Sequence, residues 1–596
     1  MDILLVSSID VLWPEPDKVP FMGLFVLRDI LKDHYEVEYV DFKLIEEVVK
    51  ALTQLNCDEA MRYLASYLVA KRPKVIGFYT VCNTFVFTVQ VAAHIRELDP
   101  TIKIVFGGPH ATLTAMSCLE HLDFLDAVYL GEAEHSIIPL MDALIAGGDL
   151  SKVAGAAYRS GGEIHINAQA ELLTDEELID STVYDYTPFS SEAIEKNAYL
   201  EGGRGCPFGC TFCSTNSFWG RKYRLKPIEA LIDEMDRIHE IYGTNDFSIL
   251  HDHFTTDKRR IKEFCRLLIA NDRGYFWSCS GRADSFDDEL LDLLKEANCK
   301  SIYLGIETGS GRMQRVINKN LDIENSLTTI RKIYDRGIDA TVSFIYGFPD
   351  ETETDFFETI KMIEEVYRIG FRYVQLHPYI LTPQTEETDK VKDVFYFDRD
   401  ATLEHTIYNK NLFSDQSVEL IEHYPDLFEQ YYTFDTPVRA AYPQMSTLLH
   451  LLVYLTPYCK NSIAHLLEVQ GMIELYRRHE GLLEGLRLDI DKIAAIDREN
   501  MSDLALSFRV FDTILREEER DLDDLRFSQL ALYERCLVEY VLSENKNPVV
   551  HEFDVDLEEL LKTGTLIEQK CNVVYFSRAG RVRATKTSAL AGMLDW

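Results

Sequence analysis

The sequence predicts an α/β chain in three parts: a doubly wound parallel sheet, a partial (β/α) barrel of six strands, and a mainly helical carboxyl-terminal segment. Three observations lead there. Short apolar runs alternate with helix-length stretches twice, over residues 1–150 and again over residues 196–390. Glycines follow several of those runs, where a ligand could approach the backbone. Past residue 390 the strand pattern gives way to helical periodicity.

Taken in order, Asp2–Ser7, Val37–Val40, Val75–Tyr79 and Ile104–Phe106 read as buried strands, with helices at Phe21–Leu31, Ala60–Leu68 and Thr84–Leu98 between them. This alternation predicts a Rossmann-like domain over residues 1–150. Gly107 and Gly108 follow one strand, and Gly131 follows Ala127–Leu130. Residues 151–195 read as a connector with a small hairpin around Gly161-Gly162. In residues 196–390 the candidate barrel strands are Ala198–Glu201, Phe247–Leu250, Trp277–Cys279, Ser301–Gly305, Asp339–Tyr346 and Tyr373–Leu376. Active sites of such barrels lie at the carboxyl ends of the strands. In residues 391–596, Met445–Leu455, Ser462–Arg478 and Leu525–Leu542 read as helices. One strand pair is expected near the end, Val573–Ser577 with Val582–Thr585, around Ala579-Gly580.

With 596 residues the chain is too long for one core, and 46% apolar residues predict packed domains. A net charge of −38 repels phosphate backbones, so nucleic acid is not an expected partner. No apolar run reaches the roughly 18 residues that span a bilayer, so no membrane association is expected. Met1–Val6 lacks the basic start of a signal peptide. Twelve cysteines without a secretion signal suit reduced thiols and a cytoplasmic location.

Three of those cysteines cluster in Gly202-Gly203-Arg204-Gly205-Cys206-Pro207-Phe208-Gly209-Cys210-Thr211-Phe212-Cys213, directly after the first barrel strand. The spacing is C-x3-C-x2-C. Three thiolates on one loop can bind three irons of a 4Fe–4S cubane and leave the fourth iron open. A structural zinc site is the competing reading, and it would require a fourth ligand from a distant residue.

The string resembles the signature of the radical S-adenosylmethionine (SAM) superfamily, and further matches span about 190 residues. Tyr303–Ser310 (YLGIETGS) resembles the fourth-strand segment, with Gly305 beside SAM and Glu307 at the ribose position. Phe344–Thr352 (FIYGFPDET) resembles a late-strand segment that borders SAM, including Gly347. Trp277–Asp284 (WSCSGRAD) resembles the third strand, with Arg282 as a polar contact to SAM. Read without the resemblance, Glu307 and Arg282 fit a barrel-mouth ion pair equally well. Leu250–Thr255 (LHDHFT) occupies the place of an acidic pair, but His251 stands where the first acid is expected and only Asp252 remains. The resemblance implies that Cys206, Cys210 and Cys213 hold the cluster, and that Phe212 lies near the adenine.

A doubly wound domain ahead of such a barrel resembles the cobalamin-binding subfamily, on the residues Val105–Thr112 (VFGGPHAT) and Tyr129–Glu134 (YLGEAE). The resemblance implies that Gly107, Gly108, His110, Gly131 and Glu132 border the corrin. The Asp-x-His-x-x-Gly motif that supplies a lower histidine ligand is absent, so a cobalt without that histidine is implied. A domain retained without a corrin is the alternative. His110 reads as a residue packing near the cofactor rather than as a ligand.

Together these matches imply a radical SAM enzyme, with cobalamin, that methylates an unactivated carbon of a natural-product or peptide substrate. In that chemistry a reduced cluster cleaves SAM to a 5′-deoxyadenosyl radical, with the hard chemistry carried by the cofactors. The alternative is a rearrangement, cyclisation or cross-linking enzyme that transfers no methyl group. A flavodoxin- or ferredoxin-type electron donor is expected. The carboxyl-terminal segment matches no motif and is expected to cap the barrel and hold substrate, or to mediate dimers. His450, His465, Tyr431, Tyr432, Tyr454 and Tyr458 read as packing. Arg578, Arg581, Arg583 and Lys586 read as a solvated basic hairpin, or as a contact for an anionic substrate or leader peptide.

Overall fold

The computed structural model describes residues 1–9, 20–187, 189, 191–371, 373–399, 413–490, 501–522, 524–542, 549–553, 561, 571–578 and 581–586. The chain divides into two compact units, Met1–Phe356 with His377–Ala441, and Phe357–Leu376 with Tyr442–Trp596.

The first unit opens with β1 (Ile3–Val6), β2 (Val37–Val40), β3 (Val75–Tyr79), β4 (Lys103–Gly107) and β5 (Ala127–Tyr129), all parallel. β1 is buried at every position, as expected of a strand covered on both faces. The helix expected at Ala60–Leu68 begins earlier, at Cys57. Asn56 and Glu59 form a reciprocal capping box that satisfies the first free amides. The hairpin expected in the connector is β6 (Ala156–Ser160) and β7 (Glu163–Ile166). It does not stand apart: the sheet order is β2-β1-β3-β4-β5-β6-β7, with β6 antiparallel to β5. The sheet therefore runs past residue 150. β5 is only three residues long, and β6 covers an edge that would otherwise leave its backbone groups unpaired.

The second sheet of this unit starts at β8 (Ala198–Glu201). A two-residue ribbon follows, β9 (Gly203–Arg204) against β10 (Arg224–Leu225). Then come β11 (Asp246–Leu250), β12 (Phe276–Gly281), β13 (Cys299–Glu307) and β14 (Asp339–Tyr346). These strands run in the order β14-β13-β12-β11-β8, all parallel, and β8 forms an open edge among the described residues. The sixth candidate is also a strand, β15 (Tyr373–Pro378). Trp277 fills the space behind β12, fully buried against Phe254 and Phe264, with its indole N–H donating to the Ala297 carbonyl at 2.8 Å.

Residues 413–434 also belong to this unit. They pack on the helix Phe85–Leu98, with Phe413 on Phe87 and Phe428 on Phe85, ring centroids 5.8 and 5.6 Å apart. Tyr431 is fully buried there and donates to the Asn83 carbonyl.

The second unit contains helices Met445–Val469, Met472–Ile490, Met501–Leu522 and Leu525–Leu542, and a three-stranded antiparallel sheet. The single helix expected over Ser462–Arg478 is two helices. The chain breaks at Gly471, whose φ of +80° is left-handed and ends the ladder. The first helix is kinked at Cys459. The amides freed by the kink, of Asn461 and Ser462, donate to the buried Glu534 carboxylate at 2.6 and 2.8 Å, and burial pushes its pKa up to about 7. His465 stacks on Phe527 and pairs with Asp524 at 2.9 Å. The expected terminal strand pair is Cys571–Arg578 with Arg581–Lys586, and Val549–Phe553 adds a third strand. Ala579-Gly580 lies outside the described residues, as do the side chains of the basic group and of Tyr454 and Tyr458. Among the described residues no helix is long and apolar enough to cross a membrane.

Candidate active site

The cysteine loop leaves β8 through a stem that is fixed atom by atom. The Gly205 amide donates to Asp252 Oδ2 at 3.0 Å. Its carbonyl accepts from His251 Nε2 at 3.1 Å. Both backbone groups of the residue before Cys206 are thus held by two adjacent side chains at the end of β11. His251 stacks on Tyr223, 5.2 Å between centroids, and burial lowers its pKa to about 3, so it serves as a neutral donor. The substitution at this position of the expected acidic pair therefore has a structural role. Gly205 has φ +83°, and a Cβ there would fall 2.0 Å from the Lys222 carbonyl oxygen.

Beyond the stem, Cys206, Cys210 and Cys213 are free thiols, each partly exposed. Burial raises Cys206 to about 11, with the other two thiols adding to the shift. Burial likewise raises Cys210, against the cations Lys319 and Arg282. Asn216 Nδ2 holds the Cys210 carbonyl at 2.9 Å, and Asn318 Nδ2 holds that of Gly209 at 2.7 Å. Among the described residues one trio of metal-type side chains lies within 4.8 Å of one another, Glu120, His121 and Asp426; the three cysteines do not. A tetrahedral zinc at about 2.3 Å from each sulfur would need that convergence. Three partly exposed thiols on one short loop supply a donor set that fits three corners of a cubane.

Phe212 packs edge-on to Phe348 at 5.8 Å. Glu307 follows a register shift after Gly305, has φ +68°, and accepts from Lys319 Nζ at 2.7 Å. Arg282 lies 4.0 Å over the Phe208 ring, pairs with Asp284, and donates to the Lys319 carbonyl at 2.7 Å. Two ion pairs at this end of the second sheet are thus Glu307 with Lys319 and Arg282 with Asp284. Gly347 donates to Glu351, and its carbonyl accepts from Arg439 Nε at 2.9 Å.

A cavity of about 540 Å³ lies where the carboxyl ends of the two sheets of the first unit meet, a size typical of small-molecule sites. From the first sheet it is lined by Leu5, Tyr79, Gly107, Gly108, Gly131 and Glu132. From the second come Glu201, Arg204 and Asp252, with Thr215 and Trp219 from the segment just after the cysteines. Gly108 has φ +91°, and a Cβ there would lie 2.9 Å from the backbone of Thr80. His110 does not line the cavity. It is buried in the short helix Pro109–Leu113, its Nε2 lies 3.0 Å from the Leu427 carbonyl, and its ring lies 4.2 Å from Phe85. Burial lowers its pKa to about 4. Among the described residues the lining contains no histidine, lysine or cysteine. An apolar floor and close glycine backbone fit a flat macrocycle.

Sequence reasoning missed a buried ion network on the cavity wall. Arg204 pairs with Glu132, Glu134 and Glu201 at 3.0, 2.7 and 2.7 Å. Arg224 pairs with Glu132 at 2.7 Å. Glu201 lies three residues from Arg204, but Glu132 and Glu134 come from a distant segment that no local spacing announces. Lys319 was missed for the same reason.

Fold and site thus define a thiolate-loop protein with a cofactor-sized cavity between two α/β sheets. Residues 200–363 match the family model of the radical SAM superfamily, and residues 16–138 match that of the B12 binding domain. The chain thus carries a segment that matches the radical SAM superfamily, with a segment that matches a B12 binding domain ahead of it. It is 27% identical over 350 residues to the uncharacterized methyltransferase PH0819 of Pyrococcus horikoshii, covering 58% of this chain and 73% of that one. It is 26% identical to the anaerobic magnesium-protoporphyrin IX monomethyl ester cyclase of Rubrivivax gelatinosus, covering 61% and 65%. It is 27% identical to the cytidylyl-2-hydroxyethylphosphonate methyltransferase of Streptomyces wedmorensis, covering 55% and 69%. In fold it resembles the radical SAM methyltransferase TsrM from Kitasatospora setae, with TM-score 0.54, 17% identity, and 66% and 76% of the two chains covered. It also resembles the cobalamin-dependent radical SAM enzyme OxsB, with TM-score 0.52, 16% identity, and 88% and 80% covered.

Proposed function

We propose that the protein is a cobalamin-dependent radical SAM methyltransferase acting on an unactivated carbon of a small-molecule or peptide substrate. The observation that carries this reading is the cavity shared by the glycine-rich strand ends of the first sheet and the segment directly following Cys213. The methyltransferases among the relatives support it. In this reading Cys206, Cys210 and Cys213 hold the cluster. Phe212, Arg282, Gly305, Glu307 and Gly347 border SAM. Gly107, Gly108, Gly131 and Glu132 border the corrin, with His110 packed behind that wall. Residues 1–150 form the core of the cobalamin domain, 151–195 the connector, 196–390 the radical SAM barrel and 391–596 a region that adds substrate contacts. A flavodoxin- or ferredoxin-type donor supplies electrons in the cytoplasm.

When bound, the cluster and SAM supply a 5′-deoxyadenosyl radical and cobalamin supplies a transferable methyl group. The chain's own contribution is position and dryness. Asp252 and His251 fix the stem of the cluster loop. Lys319 orients Glu307. Leu5, Phe21, Leu140 and Met141 line the corrin cavity with apolar surface, and excluding water strengthens each polar contact made there.

The cyclases among the relatives favour a second reading, a radical SAM enzyme that makes no methyl transfer. An anaerobic assay with cobalamin-loaded protein separates the two. Formation of S-adenosylhomocysteine and 5′-deoxyadenosine in step with a methylated product is the expected result. Formation of 5′-deoxyadenosine alone, with an unmethylated product, rejects methyl transfer.

A further inference from the structure

We infer that Arg204 couples the corrin cavity to the cysteine loop, so that filling either site tightens the other. The identity of the two ligands rests on the function proposed above; the coupling itself rests on the geometry. Arg204 lies on β9, two residues before Cys206. Its guanidinium spans the seam between the two sheets. Nη1 contacts Glu132 Oε1 at 3.0 Å and Glu134 Oε1 at 2.7 Å, both in the loop after β5. Nε and Nη2 hold the two oxygens of Glu201 at the end of β8, at 2.7 and 3.1 Å. All four side chains are largely buried, with Arg204 8% and Glu132 4% exposed.

The loop after β5 and the stem of the cysteine loop therefore share one buried cation. Charge-assisted, forked contacts of this kind fix geometry as well as charge. On the cavity side, Gly131, Glu132 and Glu134 form part of the wall a corrin would touch. On the cluster side, Gly205 follows Arg204 directly and is clamped by Asp252 and His251. A ligand that orders one side of this unit orders the other, and the second ligand then loses less conformational freedom. Linkage makes the effect reciprocal. Arg204 is thus a positioning residue, acting through the loop after β5 and the stem before Cys206.

The test is an anaerobic absorbance titration with hydroxocobalamin, comparing chelator-stripped and cluster-reconstituted protein. In the unaltered protein the cluster should tighten cobalamin binding by about five-fold or more, the lower end of typical coupling between sites. Arg204→Lys keeps the charge without the fork, and Glu134→Gln removes one limb without emptying the site. Both should bring the ratio of the two affinities close to one, whatever they do to either affinity alone. Asp236→Asn, which breaks the peripheral pair with Arg273, should keep the unaltered ratio. Cobalamin binding with a ratio of one in the unaltered protein overturns the coupling, as does an unaltered ratio in both variants. Absence of cobalamin binding in every form instead overturns the proposed function, and the coupling with it.

Discussion

Replacing Gly205 by alanine tests the account of the cluster loop most directly. The new methyl would stand 2.0 Å from the Lys222 carbonyl oxygen and 3.3 Å from the Trp219 ring. An unstrained contact between heavy atoms needs about 3.5 Å, so the stem or the segment at Lys222, just before β10, must move by roughly 1.5 Å. The backbone has little freedom to yield, because Asp252 holds its amide and His251 its carbonyl. The φ of +83° adds roughly 1–2 kcal/mol of strain for any L-residue. Metal-ligand distances tolerate only about 0.2 Å, so a shift of this size one residue before Cys206 takes its sulfur out of range. Gly243→Ala is the matched control. It has φ +75° with nothing within 4 Å of the added methyl, and therefore carries the strain without the collision. The assay is iron and sulfide content per chain after anaerobic reconstitution, with circular dichroism to confirm folding. Gly205→Ala should be folded and poor in iron, and Gly243→Ala should load normally. Unaltered iron content in Gly205→Ala would refute the claim that the stem geometry sets the cluster site.

Three further outcomes are expected. Burial pushes the Glu351 carboxyl from its ordinary 4.5 to about 8, so the folded protein holds this proton where the unfolded chain has lost it. Its contribution to stability is full below about 4.5 and is lost as pH rises through about 8, at up to roughly 1.4 kcal/mol per pH unit. Glu351→Gln should flatten that part of the urea-midpoint profile; an unchanged slope contradicts the assignment. Trp277→Ala removes a fully buried indole together with its hydrogen bond to Ala297, and should cost about 3–5 kcal/mol in denaturant unfolding. A loss below about 1 kcal/mol would mean that the strand wall is not packed as described. Arg282→Gln should weaken SAM binding by calorimetry while leaving iron content unchanged, because the guanidinium touches Phe208, Asp284 and Lys319 but supplies no cluster ligand.

The sequence by itself determined the parts whose information is contiguous. Cys206, Cys210 and Cys213 lie within eight residues, so their spacing alone defines a three-thiolate loop. The alternation of apolar runs and helices determined the strands of both sheets, because burial on two faces leaves a local pattern. Only the tertiary structure decided which charges meet. Arg204 gathers Glu132 and Glu134 from the other sheet, and Lys319 reaches Glu307 across a loop. It also decided that His110 faces Leu427 and not the cavity, that His251 grips Gly205, and that β6 and β7 extend the first sheet. The reason is that a periodic pattern records how much of a residue is buried, while a buried charge is stable only beside a particular partner. That partner is set by how distant segments pack, and no spacing along the chain encodes it.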